Sequence, residues 1–214
     1  MAQAKGRRMT DNDRSGPKAD RAAAIKAAAI EVFAEQGYHA AKVSTIVKRV
    51  GVAQGTFYLY FKSKQELFGE ILQDFLILMQ RPIETWDVGR LESIEDYEQS
   101  LNELGNTLIP VINNNRELAR IFFNEALVSP DFSSQIQEFY EALIALLTSF
   151  NEAMHRQGLI RETDFEVMAV STIGMVERNI QQYIIAPEEP PTNESLQRVV
   201  SKIVNLFIFG AVPR

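Results

Sequence analysis

Within the eleven residues from Gln54 to Lys64 the chain gathers an amide, a glycine, hydroxyl groups and two lysines: Gln54, Gly55, Thr56, Tyr58, Tyr60, Lys62 and Lys64. A glutamine can form a paired hydrogen bond with the edge of an adenine, and a glycine lets a backbone come close to its target. The hydroxyls of Thr56, Tyr58 and Tyr60 suit phosphate oxygens, and a lysine neutralises phosphate as a point charge. Catalysis has no comparable cluster. His39 and His155 are the only histidines and stand in unlike contexts, cysteine is absent, and no phosphate-cradling glycine loop or metal-ligand spacing accompanies them. The residues point away from an enzyme and call for no cofactor or metal.

The elements that must position this cluster follow from spacing. Val43, Ile46, Val47 and Val50 stand at i, i+3, i+4 and i+7, the stripe of a short amphipathic helix that Gly51 stops. Phe57, Tyr60 and Phe61 repeat the i, i+3, i+4 interval, which predicts a second helix of about two turns beginning near Ala53 or Gln54. Two short helices joined by a glycine-containing turn make a helix-turn-helix, whose second helix is shaped to enter the major groove of DNA. With Phe57 and Phe61 turned inward, Gln54, Gly55, Thr56, Tyr58, Lys62 and part of Tyr60 share the outer surface. For a helical hairpin taken alone, a merely solvated face is the alternative.

The run G-Y-H-A-A-K-V-S-T-I-V-K-R-V-G-V-A-Q-G-T-F-Y-L-Y-F-K-S-K-Q-E-L-F, from Gly37 to Phe68, resembles the DNA-binding signature of TetR-type transcriptional regulators. Its core is G-V-x-x-G-T-x-Y-x-Y-F followed by K-x-x-L. The resemblance implies base reading mainly at Gln54, with Gly55 and Thr56 alongside, and phosphate anchoring by Tyr58, Tyr60 and Lys64. Two places depart from the family pattern. Ser or Thr is frequent where Lys42 and Val43 stand, so the hydroxyl role passes to Ser44, while Lys42 meets phosphate without capping its helix. Ala53 stands where many members have Ser. Lys48 and Arg49 face outward by spacing, either as DNA-backbone contacts or as solvated charges.

Charge is divided unevenly. Residues 1–64 hold 12 Lys and Arg against 5 Asp and Glu, whereas residues 65–214 hold 10 against 23. A basic module joined to an acidic body is the asymmetry of a protein whose one end meets phosphate. Residues 1–16 read as a flexible basic tail, or as an arm reaching an adjacent minor groove. Lys5, Arg7 and Arg8 are followed by no apolar run, and no apolar stretch approaches ~20 residues, so a cytoplasmic protein without membrane partners is expected.

The remainder reads as helices, and the fold class is all-α. Pro17 suits the first turn of a helix buried through Ala22, Ile25, Ala29, Val32 and Phe33 and ended by Gly37. Ser63 with Glu66 forms a capping box opening a helix that Pro82 ends. Further helices are expected from Ser93 to about Leu108, with Pro110 kinking or stopping the chain; from Arg116 to Val128; and from Asp131 to Gly158. Thr163 with Glu166 opens another before the loop A-P-E-E-P-P, and Thr192 caps the last, which ends at Gly210. This layout gives an N-terminal helix-turn-helix DNA-binding domain at 17–64, a connecting helix at 65–80, and a helical effector-binding and dimerisation domain at 81–214. In the TetR resemblance the N-terminal domain has three helices, and helices 163–185 and 192–209 pair with their copies in a homodimer. Two recognition helices then meet a palindromic double-stranded operator.

A regulator needs an input. Glu125 and Glu177 lie on apolar stripes, where a carboxylate must find a partner or a ligand. Ion pairs with Arg120, Arg178 or another arginine are one reading, and contact with a small apolar or amphipathic effector is the other. Phe122, Phe123, Tyr140, Met175 and Tyr183 line an apolar cavity on the second reading and pack as plain core on the first. A helical protein that keeps this architecture but acts as an activator, or as an assembly module without a specific operator, is the competing function.

Overall fold

The computed structural model describes residues 12–86 and 91–211, and no strand occurs among them. The chain divides into two compact units, Met1–Ile71 and Leu72–Arg214. In the first, α1 (Asn12–Gln36) packs on α2 (Val43–Val50), which a tight turn joins to α3 (Gln54–Tyr58). Ile25, Ala29, Val32 and Phe33 of α1 are buried at their predicted intervals, as are Ile46 and Val47 of α2, Phe57 of α3, and Phe61. Phe57 is fully buried, which stabilises the short α3 by about 1.5–3 kcal/mol. Five residues cannot sustain a helix by their own hydrogen bonds. That anchor therefore holds α3, which is shorter than the two turns that spacing predicts, because Leu59 and Tyr60 already lie in a turn. Gly51 has φ 76°, and Val52 N–H reaches back to Val47 O at 3.0 Å, closing α2 in the left-handed cap that glycine favours.

Several boundaries differ from those that residue types suggest. α1 begins at Asn12, so residues 12–16 are helical rather than tail and Pro17 lies inside the helix; the rest of the tail, residues 1–11, lies outside the described residues. Pro82 sits within α4 (Lys64–Glu84), and Pro110 within α5 (Ile94–Asn114). A proline removes one N–H bond to the carbonyl four residues back, which a helix packed along its length can absorb. Glu66 N–H donates to Ser63 Oγ at 3.0 Å, but the Glu66 carboxylate accepts from Lys62 N–H rather than from the cap residue. Asp164, not Thr163, caps α8 (Phe165–Ile180), its carboxylate accepting from Val167 N–H at 3.0 Å. The last helix, α9 (Asn193–Ala211), passes Gly210.

The second unit packs α5 against α9 and α7 (Ser133–Arg156) against α8. Gly158, at φ 77°, closes α7 as its sequence position suggests. α6 (Arg116–Ile121) continues into a π-turn at Phe122–Ala126, and α8 continues into another at Gln181–Ile185. Arg116, only 8% exposed, spans the two segments. Its guanidinium donates to Ile184 O at 2.6 Å, Ile185 O at 3.1 Å, Glu188 O at 3.3 Å and also Pro187 O. These are carbonyls that the end of a helix leaves without partners, so the buried charge is fully engaged. α5 and α9 approach closely at Gly105, where an added Cβ would lie 2.5 Å from Val200 Cγ1.

Candidate nucleic-acid interface and body cavity

Most of the residues expected to meet DNA are exposed in the first unit. Gln54 and Gly55 are exposed in the first turn of α3, Tyr58 is 53% exposed, and Thr56 and Tyr60 are half-buried. Lys42 and Ser44 are exposed at the start of α2, and Lys42 makes no side-chain cap, as its chemistry requires. The N-terminus of α2 thus offers unpaired backbone N–H groups, a hydroxyl and an ammonium, the donors a phosphate needs.

Two basic residues are engaged elsewhere. Lys64 Nζ donates to Tyr38 O at 2.6 Å, Ala41 O at 2.9 Å and His39 O at 3.2 Å, and it lies 4.5 Å from the centre of the Tyr38 ring. An ammonium has three N–H donors, and three carbonyls occupy them. In this arrangement Lys64 straps the turn after α1 to the start of α4, and it has no N–H left for phosphate. Arg49 grips Glu35 through both terminal nitrogens, at 2.8 and 2.7 Å, and reaches Glu31 at 3.4 Å. It ties α2 to α1, whereas Lys48 stays exposed. The hydrogen bonds and charge of Arg49 hold the Glu35 carboxyl below its ordinary pKa, against a smaller opposing effect of desolvation.

The second unit holds a partly open apolar cavity of about 220 Å³ walled by α4, α5, α7, α8, α9 and the π-turn after α6. It contains Phe122, Phe123, Tyr140, Met175 and Glu177, five of the residues expected there. Glu125 and Tyr183 are not brought in. Glu125 is half-buried outside the lining and Tyr183 is 46% exposed. Both stand in π-turns, whose wider turn rotates side chains away from a stripe extrapolated at the α-helical period. The expected ion pairs do not form among the described residues: Arg120 pairs with Glu117 at 3.6 Å, and Arg178 turns toward Gln181 and Gln182. The partner of Glu177 is instead the Tyr140 hydroxyl, which donates to its carboxylate. Burial, then this hydrogen bond and the charge of Glu177, push the Tyr140 phenol well above its usual pKa, so it stays a donor.

Sequence reasoning missed three wall residues. Trp86, the single tryptophan, packs tilted against Phe150 with ring centres 4.5 Å apart and donates to Ser100 Oγ at 2.8 Å. Tyr97 is fully buried, and its hydroxyl has no hydrogen-bond partner among the described residues. Asn151, 3% exposed, brings a buried side-chain amide to the cavity wall. The Asn151 signal was present, because it stands four residues after Leu147 and three before Met154 on an otherwise apolar stripe.

Comparison with known proteins agrees with both units. The model of the bacterial regulatory proteins of the tetR family matches residues 25–71, and that of the AefR-like transcriptional repressor C-terminal domain matches residues 99–209, more than half the chain. The HTH-type transcriptional regulator YdgC of Bacillus subtilis is 29% identical over 191 residues, 89% of this chain and 91% of its own. The HTH-type transcriptional activator FasR of Mycolicibacterium smegmatis is 29% identical over 130 residues, 59% of this chain and 56% of its own. The fatty acid degradation regulator FadR of Bacillus halodurans has the same fold, with a TM-score of 0.71 at 22% identity over 89% of this chain and 95% of its own. Among the described residues no helix is long and apolar enough to cross a membrane. A helix-turn-helix on an aromatic core, an all-helical body and family matches along both units place this chain in the TetR family of DNA-binding transcriptional regulators.

Proposed function

We propose that this regulator is a cytoplasmic homodimeric repressor that reads a palindromic operator with α3 and changes its affinity when a small apolar or amphipathic molecule fills the body cavity. The observation that carries the reading is the pair Gln54–Gly55, exposed at the start of a helix held by Phe57 alone. Glycine inside a helix costs about 1 kcal/mol relative to alanine, and a Cβ added at Gly55 would meet nothing within 4 Å. The free protein has no packing reason for that glycine, which favours close approach by a partner from outside. Lys42, Ser44, Thr56, Tyr58 and Tyr60 flank it as phosphate contacts, while Lys64 shapes the surface from behind.

Dimerisation through residues 163–185 and 192–209 is supported by large apolar side chains left exposed there, Val167 at 59%, Val170 at 50% and Leu206 at 67%. Regulation would run along α4, one helix that starts in the reading unit and carries Phe75, Met79 and Ile83 into the cavity wall. A ligand that changed its tilt would re-aim α3. Repression follows the kind of C-terminal domain that the chain matches; activation is the second reading, favoured by the likeness to FasR.

The test is selection from a genomic fragment library at two salt concentrations with wild type and Gln54→Ala. A palindromic site should emerge whose binding weakens steeply with salt, and the variant should lose about 1–3 kcal/mol of discrimination at the positions Gln54 reads. Sequence-independent binding by the wild type, with and without cell extract as a source of effector, would rule the operator reading out.

A further inference from the structure

We infer that the body cavity selects a slim amphiphile with a cationic head, an alkylammonium group seated against the Glu177 carboxylate. The inference rests on the effector reading above and gives that effector a chemical class. Among the described residues that line the cavity, Glu177 is the only charged one, and none of them is a lysine, arginine or histidine. Among the described residues the carboxylate takes its hydrogen bond from the Tyr140 hydroxyl, an uncharged donor, and the nearby Arg178 is directed to two glutamines. An acid head, free carboxylate or phosphate, would enter an apolar space with no counter-charge and a carboxylate already present. An ammonium would supply the charge that Glu177 lacks. The rings of Phe122, Phe123, Phe139 and Tyr140 in the same wall add faces that attract cations.

The shape limits the rest of the molecule. At about 220 Å³ the space falls below the roughly 300 Å³ at which sites for drug-sized ligands begin. It is nevertheless long: Tyr140 and Asn151 both line it from α7, and their separation along the helix is about 16 Å. A narrow, extended void suits a single alkyl chain. Its far end meets the buried amide of Asn151 and the Tyr97 hydroxyl, which has no hydrogen-bond partner among the described residues, so a polar atom at the tail of the chain finds a partner there.

Three probes of equal chain length separate the possibilities: n-decylamine, n-decanol and n-decanoate, titrated below their micellar concentrations. Binding is followed by the fluorescence of Trp86, the only tryptophan, and by melting temperature. The amine should bind at least about tenfold tighter than the carboxylate, a difference of roughly 1.4 kcal/mol. Glu177→Gln, which keeps the Tyr140 hydrogen bond, should weaken the amine by a similar factor and leave the alcohol unchanged. If decanoate binds the wild type as tightly as decylamine, or the variant keeps full amine affinity, the cationic head is wrong while the effector cavity stands. If none of the three probes binds, both the cavity reading and the head-group inference fall.

Discussion

The two units of the chain solve opposite packing problems. In the first, an aromatic set fills the interior: the Phe33, Tyr38 and Phe68 rings pair at 5.6, 5.5 and 4.4 Å, and Phe57 lies 5.7 Å from Phe61. Its polar straps are satisfied as well, with Lys64 on three carbonyls and Arg49 on two carboxylates. The second unit is larger, yet it leaves a void among apolar walls. The buried side-chain atoms without a hydrogen-bond partner among the described residues belong to it: Tyr97, Asn102, Asn106, Asn113 and Thr148. A fold selected only for stability would fill that space and pair those groups. On the proposed function, the contrast separates a rigid surface that must present side chains to an external partner from an interior left incomplete for an internal one.

The sharpest way to break this contrast is through Lys64. If it is a strap, Lys64→Met leaves the carbonyls of Tyr38, His39 and Ala41 without their charged donor and costs about 1.5–3 kcal/mol, seen as a lower urea midpoint. The salt dependence of DNA binding should then keep its slope. If it is a phosphate contact, as the family resemblance implies, stability should hold and the slope of log affinity against log salt should fall by about 1. Both observables come from one variant, and they move in different directions under the two roles.

A smaller effect of opposite sign is expected in the body. Thr148→Val replaces a buried hydroxyl that has no hydrogen-bond partner among the described residues by a methyl of the same shape, so it should stabilise the chain by about 1 kcal/mol and raise the melting temperature by roughly 2–4 °C. A lower melting temperature would mean that the hydroxyl is satisfied in solution, and the incomplete-interior argument would lose that residue.

The sequence and the structure agree where the signal is local and periodic. The stripes of α1 and α2, the glycine stops at Gly51 and Gly158 and the burial of Phe57 follow from spacing alone. The outward position of Gln54 follows from the same periodicity, because one face of a short helix is committed once its aromatic is buried. What escapes the sequence is tertiary. The Lys64 strap joins residues 23 to 26 positions apart, and the Arg116 carbonyl cluster joins residues 68 to 72 apart. No periodicity encodes such pairs. The π-turns explain the cavity errors, since one extra residue in a turn moved Glu125 and Tyr183 off the stripes that an α-helical period projects. The local rule makes Pro82 a helix end and Pro110 a kink or a stop, and both lie inside helices that packing carries on.

The smallest predicted effect compares how the two units respond to pH. Glu35 has a pKa lowered from 4.5 by Arg49, so its contribution is complete above the unfolded value and is lost as pH falls through the lower folded value. Both partners are exposed to solvent, which keeps the effect small and sensitive to salt. In the body the shift runs the other way. Burial raises the Tyr97 and Tyr140 phenols above 10.0, so their contribution is present below that value and fades as pH rises through the folded pKa. Acid should therefore loosen the reading unit through Glu35, and alkali should loosen the body through its tyrosines. Melting curves of wild type and Glu35→Gln between about pH 3 and 6 test the acid half. Far-UV circular dichroism reports helices of both units, whereas Trp86 fluorescence reports the body. The variant should flatten part of the acid dependence in the dichroism melt and leave the Trp86 melt unchanged. An equal change in the two signals would show that the pair matters beyond the unit that holds it.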